Sequence, residues 1–219
     1  MTQSLVGNLL VASTLVHEPL FSRGVCLVVH HDENGAIGVM LNRPIMPPPQ
    51  ALLKILNPGA DLPDAPAAAS SGKSRLPASS AGVSESIAVS GGEQNGLVPG
   101  MVHFGGPLSG PVVAVHSSLA LAEVETGRGV YVAAQKDHLE TLVRECSSDY
   151  RLIIGHAGWS AQQLAGELAA GFWHVLPATP ETVFPLHADL WPYLIRRATG
   201  ASVAAWVGAP DTVGMSGLN

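Results

Sequence analysis

Basic side chains are scarce in this chain. Eleven Lys and Arg stand against seventeen Asp and Glu in 219 residues, a formal net charge of −6. That balance excludes a surface that grips phosphate backbones through charge alone. The basic residues do not cluster beyond Arg196-Arg197, and no helix-turn-helix pattern presents a basic recognition helix, so direct nucleic-acid binding is not expected. Cysteine is nearly absent: Cys26 and Cys146 each sit inside an apolar stretch, as small buried residues of a reducing compartment would, not as a disulfide framework. No apolar run approaches the roughly 18 residues of a membrane span. The opening MTQSLVGNLLVAST lacks the basic and long apolar regions of a signal peptide. These absences lead to the expectation of a cytoplasmic protein with no membrane partner.

What is present is apolar and patterned. Hydrophobic residues make up 47% of the chain, so it has a substantial core. Composition shifts sharply at about residues 58–98, where Ala, Ser, Gly and Pro dominate and no aromatic residue occurs. Such a segment cannot bury enough surface to offset its ordering entropy. It reads as a flexible insertion in a single domain of residues 1–200, followed by a tail at 201–219. Before it, VCLVVHH (25–31) and AIGVMLN (36–42) flank Asn34-Gly35, the strongest short hairpin signal. Both runs are almost continuously apolar, which predicts cover on both faces. Arg43-Pro44 ends the second strand, and PPQALLKIL (48–56) predicts a short helix.

Beyond the insertion, MVHFGGPLSGPVVAVHSS predicts two strands around Gly105-Gly106-Pro107, and EVETGRGVYVAA a hairpin turning at Gly127-Arg128-Gly129. A helix over 137–146 starts with capping-box spacing at Asp137 and Glu140. RLIIG is a buried strand. Leu190, Trp191, Leu194, Ile195 and Ala198 form the stripe of a last helix closed by Gly200. Helices alternating with antiparallel hairpins define an α+β fold with a mixed, largely antiparallel sheet.

RLIIGHAGWSAQQLAGEL (151–168) runs from strand through a small-residue turn into a helix. Gly158-Trp159-Ser160-Ala161-Gln162 falls one glycine short of the nucleophile elbow of hydrolases. Capping explains more of its residues. With Ser160 as N-cap, Gln163 takes the N3 position, and Trp159 and Leu164 have the spacing of a hydrophobic staple. Ala161, Leu164, Ala165, Leu168, Ala169 and Phe172 then form a core stripe that Gly171 ends. Ser160 reads as a cap, and no catalytic residue is assigned. Gln163 and Glu167, four apart on the stripe's edge, read as structural.

Nine histidines raise a metal reading, in which His30, His31 and Asp32 meet His103 or His116. Strand neighbours point to opposite faces and no ligand spacing recurs, so no metal or cofactor is expected, and His31 reads as a turn-bonding residue near Asn34. The candidate ligand site is an anion pocket: Asn42 and Arg43 at a strand end, the Gly105-Gly106 turn, and Trp159 at the helix start by Ser160. Glycine turns and helix N-termini offer amides, and arginine adds a fork for carboxylate or phosphate. The competing reading has Asn42 and Arg43 capping backbone carbonyls.

GNLLVAST, PLFSRGVCLVVHHDENGAIGVMLNRP, FGGPLSG, GHAGWSAQQLAGEL and the late Leu190-Trp191 together resemble the YqgE/AlgH family of bacterial proteins, in order and spacing over nearly the whole chain outside the insertion. The resemblance implies an α+β fold with a strongly curved, barrel-like sheet flanked by helices. A transcriptional-regulator label accompanies part of the family. The chain departs from the family pattern in its long insertion, in His156 where tyrosine is common, and in Ser160 where glycine is common. The expected function is a non-enzymatic binding or regulatory protein acting through an unknown protein partner. The alternative is a small-anion-binding protein or weak enzyme using Arg43. Replacing residues 60–86 by a short Gly/Ser linker is expected to leave the melting temperature nearly unchanged, because loop closure depends weakly on length. A drop of many degrees would show that the segment packs on the core.

Overall fold

The structure is a computed structural model that describes residues 4–45, 102–145, 149–185 and 189–207. The helix expected at 48–56, the insertion at 58–98, Cys146 and the end of the tail lie outside the described residues. Nine strands form one sheet: β1 (Asn8–Ala12), β2 (Val25–His31), β3 (Gly35–Met40), β4 (Val102–Phe104), β5 (Leu108–His116), β6 (Val124–Gly127), β7 (Val130–Ala133), β8 (Tyr150–Ser160) and β9 (Trp173–Pro177). Among the described residues four α-helices accompany them: α1 (Lys136–Glu145), α2 (Ala161–Ala169), α3 (Pro180–Val183) and α4 (Leu190–Val207). The sheet order is β6-β7-β5-β8-β3-β2-β1-β9, and β4 lies off this path beside β8. Only the β4–β8 pair is parallel among the described strands. This is the α+β fold with a curled, largely antiparallel sheet that the sequence predicts.

The continuous apolar runs of β1, β2 and β3 serve two cores, one on each face. Leu9, Val11, Val25, Leu27, Val39 and Leu41 share a cluster with Val115, Val130 and Ile153 from the far half of the sheet. Residues from so many strands meet only on the concave side, which α3 and α4 plug with Val183, Leu190 and Leu194. The alternate residues Leu10, Cys26, Val28, Ala36 and Met40 pack outward against Trp159, Leu164 and Trp173. Burial pushes the Cys26 thiol well above its ordinary range, so it behaves as an inert apolar group. A third cluster seats Leu139, Leu142 and Val143 of α1 on Ala114 and Leu152. The curl brings the sheet's ends together: a Cβ at Gly127 of β6 would lie 2.7 Å from the carbonyl oxygen of Ala178, just past β9.

The eleven-residue β8 organises the sheet. Its C-terminal part pairs with β3, from Gly38↔Ala157 to Gly35↔Ser160. Its N-terminal part lies between β5 and β4, with Ile153 opposite both Val113 and His103. β4 fills the gap where β3 peels away, and bonds to the extension of β3 through Phe104 N–H to Arg43 O and Ile45 N–H to Val102 O, both 2.8 Å. Gly155 marks the change of partner with φ +77°. A Cβ at Gly105 would stand 2.1 Å from the Gly155 carbonyl oxygen, so the two backbones cross at contact distance and glycine is required there.

Several expectations are corrected. Strand β8 runs unbroken to Ser160, so the small-residue turn before α2 does not exist. β-pairing of Gly158 and Trp159 with Ile37 and Ala36 holds that stretch extended. In α1, Asp137 lies inside the first turn rather than at the cap. The Glu123 carboxylate instead receives the amides of Ala134 (3.1 Å) and Gln135 (2.9 Å), with His138 Nδ1 at 2.9 Å. The last helix continues through Gly200 to Val207, so Gly200 does not close it. In the β2–β3 turn it is Asp32, not His31, that bonds: its Oδ1 accepts from Asn34 N–H (2.8 Å) and Gly35 N–H (3.1 Å). The Asn34 amide first, then the His30 side chain, lower the Asp32 pKa to about 2. His31 Nδ1 accepts from Leu5 N–H at 3.0 Å instead.

His116, at the end of β5, is fully buried, with its ring 6.0 Å from that of Tyr131. Burial lowers its pKa below the usual imidazole value; nearby His138 adds to the effect and Glu123 opposes it. The unfolded chain therefore binds a proton that the folded chain resists, and stability falls as pH drops below about 6.5. Urea midpoints between pH 7.5 and 5.5 are expected to fall more steeply for the wild type than for His116→Gln. Equal slopes would show that this side chain does not contribute.

Candidate functional site

A cleft of about 450 Å³ opens where β3, β4 and β8 part and the first turn of α4 approaches. Three arginines, Arg23, Arg43 and Arg151, line it together with His103, and among the described residues the one acid in its walls is Asp189. Leu41, Leu190, Trp191 and Pro192 form its apolar side. Each cation reaches the cleft from a different element. Arg43 extends from the end of β3 and laces the preceding loop to it: Nε donates to Leu20 O (3.2 Å), Nη1 to Asn42 O (3.2 Å) and Nη2 to Ser22 O. Asn42 completes the lacing, with Oδ1 accepting from Val25 N–H (2.9 Å) and Nδ2 donating to Arg23 O (2.8 Å).

Arg23 stands at the rim with φ 55°, the one described non-glycine residue with positive φ. Its guanidinium lies 5.6 Å from the centre of the Trp191 ring, and Trp191 Nε1 is tied to Ala12 O at 2.7 Å. Arg151, near the start of β8, donates from Nη1 to His103 Nε2 (3.1 Å) and from Nη2 to Val183 O (3.2 Å). An arginine is always a donor, so His103 accepts through Nε2. The Nε of Arg151 is buried without a hydrogen-bond partner among the described residues. Burial lowers the pKa of both Arg43 and Arg151, with Glu18 and Asp149 respectively acting in the opposite direction. Both acids are exposed and neither lines the cleft. The cleft therefore concentrates partly desolvated positive charge in an acidic protein, and an anion is the species that such walls attract.

The five residues expected to form one pocket are distributed. Asn42 and Arg43 line the arginine cleft. Trp159 lines a second, more open cavity of about 440 Å³ with His30, Asp32, Ile37, Leu108 and His156. Gly105 and Gly106 line neither. The Gly105 amide is spent on Ile154 O (2.7 Å) and its carbonyl accepts from Met40 N–H (2.9 Å). Its role is to seat β4 between its neighbours. Gly106, at φ +150°, presses on the backbone of His156. Arg23 and Arg151 escaped the sequence reading, which took His103 only as a possible metal ligand and Trp191 only as part of a helix stripe, because no local pattern joins residues brought together by the β4–β8 register, a loop and the last helix. The histidine convergence does not occur either: among the described residues no three His, Cys, Asp or Glu are placed to hold a metal.

Ser160 caps α2, its Oγ accepting from Gln163 N–H at 3.2 Å. The Gln163 side chain turns away from the cap and donates to Glu167 Oε1 (2.8 Å). Glu167 Oε2 accepts from both indoles, Trp159 Nε1 (3.0 Å) and Trp173 Nε1 (2.7 Å). The two rings meet edge-to-face at 6.0 Å, and Phe21 lies 6.1 Å from each. Of the expected stripe on α2 Leu164 is buried, whereas Ala165, Ala169 and Phe172 are exposed. The helix is held by this carboxylate as well as by apolar burial.

An AlgH-like family model matches residues 9–202. UPF0301 protein SCO2948 of Streptomyces coelicolor is 32% identical over 224 residues, covering 95% of each chain. UPF0301 protein XCV3063 of Xanthomonas euvesicatoria is 31% identical over 182 residues, 82% of this chain and 81% of its own. The solution structure of AlgH from Pseudomonas aeruginosa superposes with a TM-score of 0.61 at 22% identity, covering 100% of both chains. The crystal structure of DIP2367 from Corynebacterium diphtheriae gives 0.60 at 23%, covering 90% of this chain and 88% of that one. The chain belongs to the AlgH-like family, and the two structures share its fold. No helix among the described residues is long and apolar enough to cross a membrane.

The α2 contacts predict an order of stabilities. Trp159→Ala is expected to cost roughly 3 kcal/mol as a large-to-small core change. Ser160→Ala should cost about 1 kcal/mol and Ser160→Gly a few tenths. Glu167→Ala, which strips two indoles of a charged acceptor, should cost about 2 to 4 kcal/mol. Denaturant midpoints check the order. Loss of esterase turnover in Ser160→Gly with unchanged stability would make the serine a nucleophile instead.

Proposed function

We propose that this protein is a non-enzymatic, cytoplasmic binding protein whose ligand is a small anion, carboxylate or phosphate, held in the arginine cleft. A regulatory effect on a protein partner would then follow occupancy of that cleft rather than contact with DNA. The observation that carries the reading is three arginines against one aspartate, among the described residues, in a single cleft of a chain whose net charge is −6.

The backbone at Arg23 supports it. A side chain held at φ 55° costs about 1 kcal/mol that glycine would avoid. Such strain persists where the side chain has a task. Arg23→Gly separates stability from binding, because relief of strain and loss of an exposed cation–π contact worth about 0.5–1 kcal/mol nearly cancel. Its melting temperature is therefore expected to stay close to that of the wild type. Phosphate and succinate should stabilise the wild type beyond sodium chloride of equal ionic strength, and stabilise Arg23→Gly much less. Equal shifts in both proteins, or none beyond sodium chloride, would overturn the reading.

A further inference from the structure

The geometry points to a phosphate monoester dianion carrying a flat, ring-bearing body as the class of ligand; this rests on the anion-binding reading above and narrows it. Three features of the cleft carry the step. The first is charge. Three arginines and one aspartate line the cleft among the described residues, an excess that a dianion neutralises and a monoanion does not.

The second feature is the direction of the donors. A carboxylate is satisfied by one planar fork with two parallel N–H groups. Here the guanidiniums enter from the loop before β2, the end of β3 and the start of β8. Arg43 commits three of its five N–H groups to backbone carbonyls, and Arg151 commits two, leaving a buried Nε without a partner among the described residues. Donors arriving from three sides suit a tetrahedral group with three terminal oxygens.

The third feature is size and lining. The cleft measures about 450 Å³, whereas a water molecule's share of liquid volume is about 30 Å³ and a bare phosphate spans only a few such volumes. The remaining space is bordered by Pro192 and the Trp191 ring beside Arg23, with Leu41 and Leu190 almost fully buried at its edge. That wall accepts an apolar body, and the flat indole beside a guanidinium favours a flat one.

The test titrates the full chain, by calorimetry at constant ionic strength, with phenyl phosphate, phenyl sulfate and inorganic phosphate. Phenyl phosphate is expected to bind roughly tenfold or more tightly than either of the others. Its affinity should fall as pH drops below about 6, where a phosphate monoester takes up its second proton. Arg23→Gly should weaken phenyl phosphate by roughly tenfold, and His30→Ala, in the other cavity, should leave it unchanged. Phenyl sulfate binding as tightly as phenyl phosphate would overturn the dianion. Inorganic phosphate binding as tightly would overturn the ring-bearing body. Sensitivity to His30→Ala with none to Arg23→Gly would place the ligand in the other cavity. If succinate and inorganic phosphate also fail to bind, the anion-binding reading itself fails.

Discussion

The crossing of Gly105 and Gly155 is the constraint on which the rest of the architecture depends. At that point two main chains touch, and Gly105 spends its amide on Ile154 and its carbonyl on Met40. It thereby joins β8 to the end of β3, where those strands have ceased to pair with each other. Any side chain there would push the strands apart, and β4 would lose its seat. Asn42, Arg43, His103 and Arg151 all lie within a few residues of this junction, so the cleft is a by-product of how the sheet changes partners.

The local elements were legible because their signals are local. Asn34-Gly35 specified a hairpin, unbroken apolar runs announced burial on both faces, and Ser160 followed by Gln163 three residues later marked a helix start. The failures also have physical causes. The stretch before Ser160 has the composition of a turn, yet pairing with β3 keeps it extended. A glycine in a helix costs about 1 kcal/mol, which did not stop α4 at Gly200. The cleft was only half visible. Asn42 and Arg43 stood out at a strand end, while Arg151 joins them through long-range strand register and Arg23 through a loop laced to that strand end. Gly105 looked like a donor for ligands because sequence does not show that its amide is already taken.

The two faces of the sheet are held by different chemistry. On the concave face α4 is seated mainly by apolar packing, with Trp191 tied to the Ala12 carbonyl. On the convex face one carboxylate, Glu167, gathers two indoles and a glutamine into a directional knot. Apolar packing tolerates rearrangement of similar volumes, whereas a shared acceptor fixes orientation. The helix after β8 is therefore the more sharply positioned of the two.

The lacing by Arg43 has an evolutionary consequence. Its donors reach the carbonyls of Leu20, Ser22 and Asn42, groups that every residue type carries. Lineages can exchange the side chains at 20 and 22 without altering what the guanidinium grips. The grip therefore does not depend on the side chains of the loop it organises, and substitutions there would reshape the mouth of the cleft without loosening the lacing.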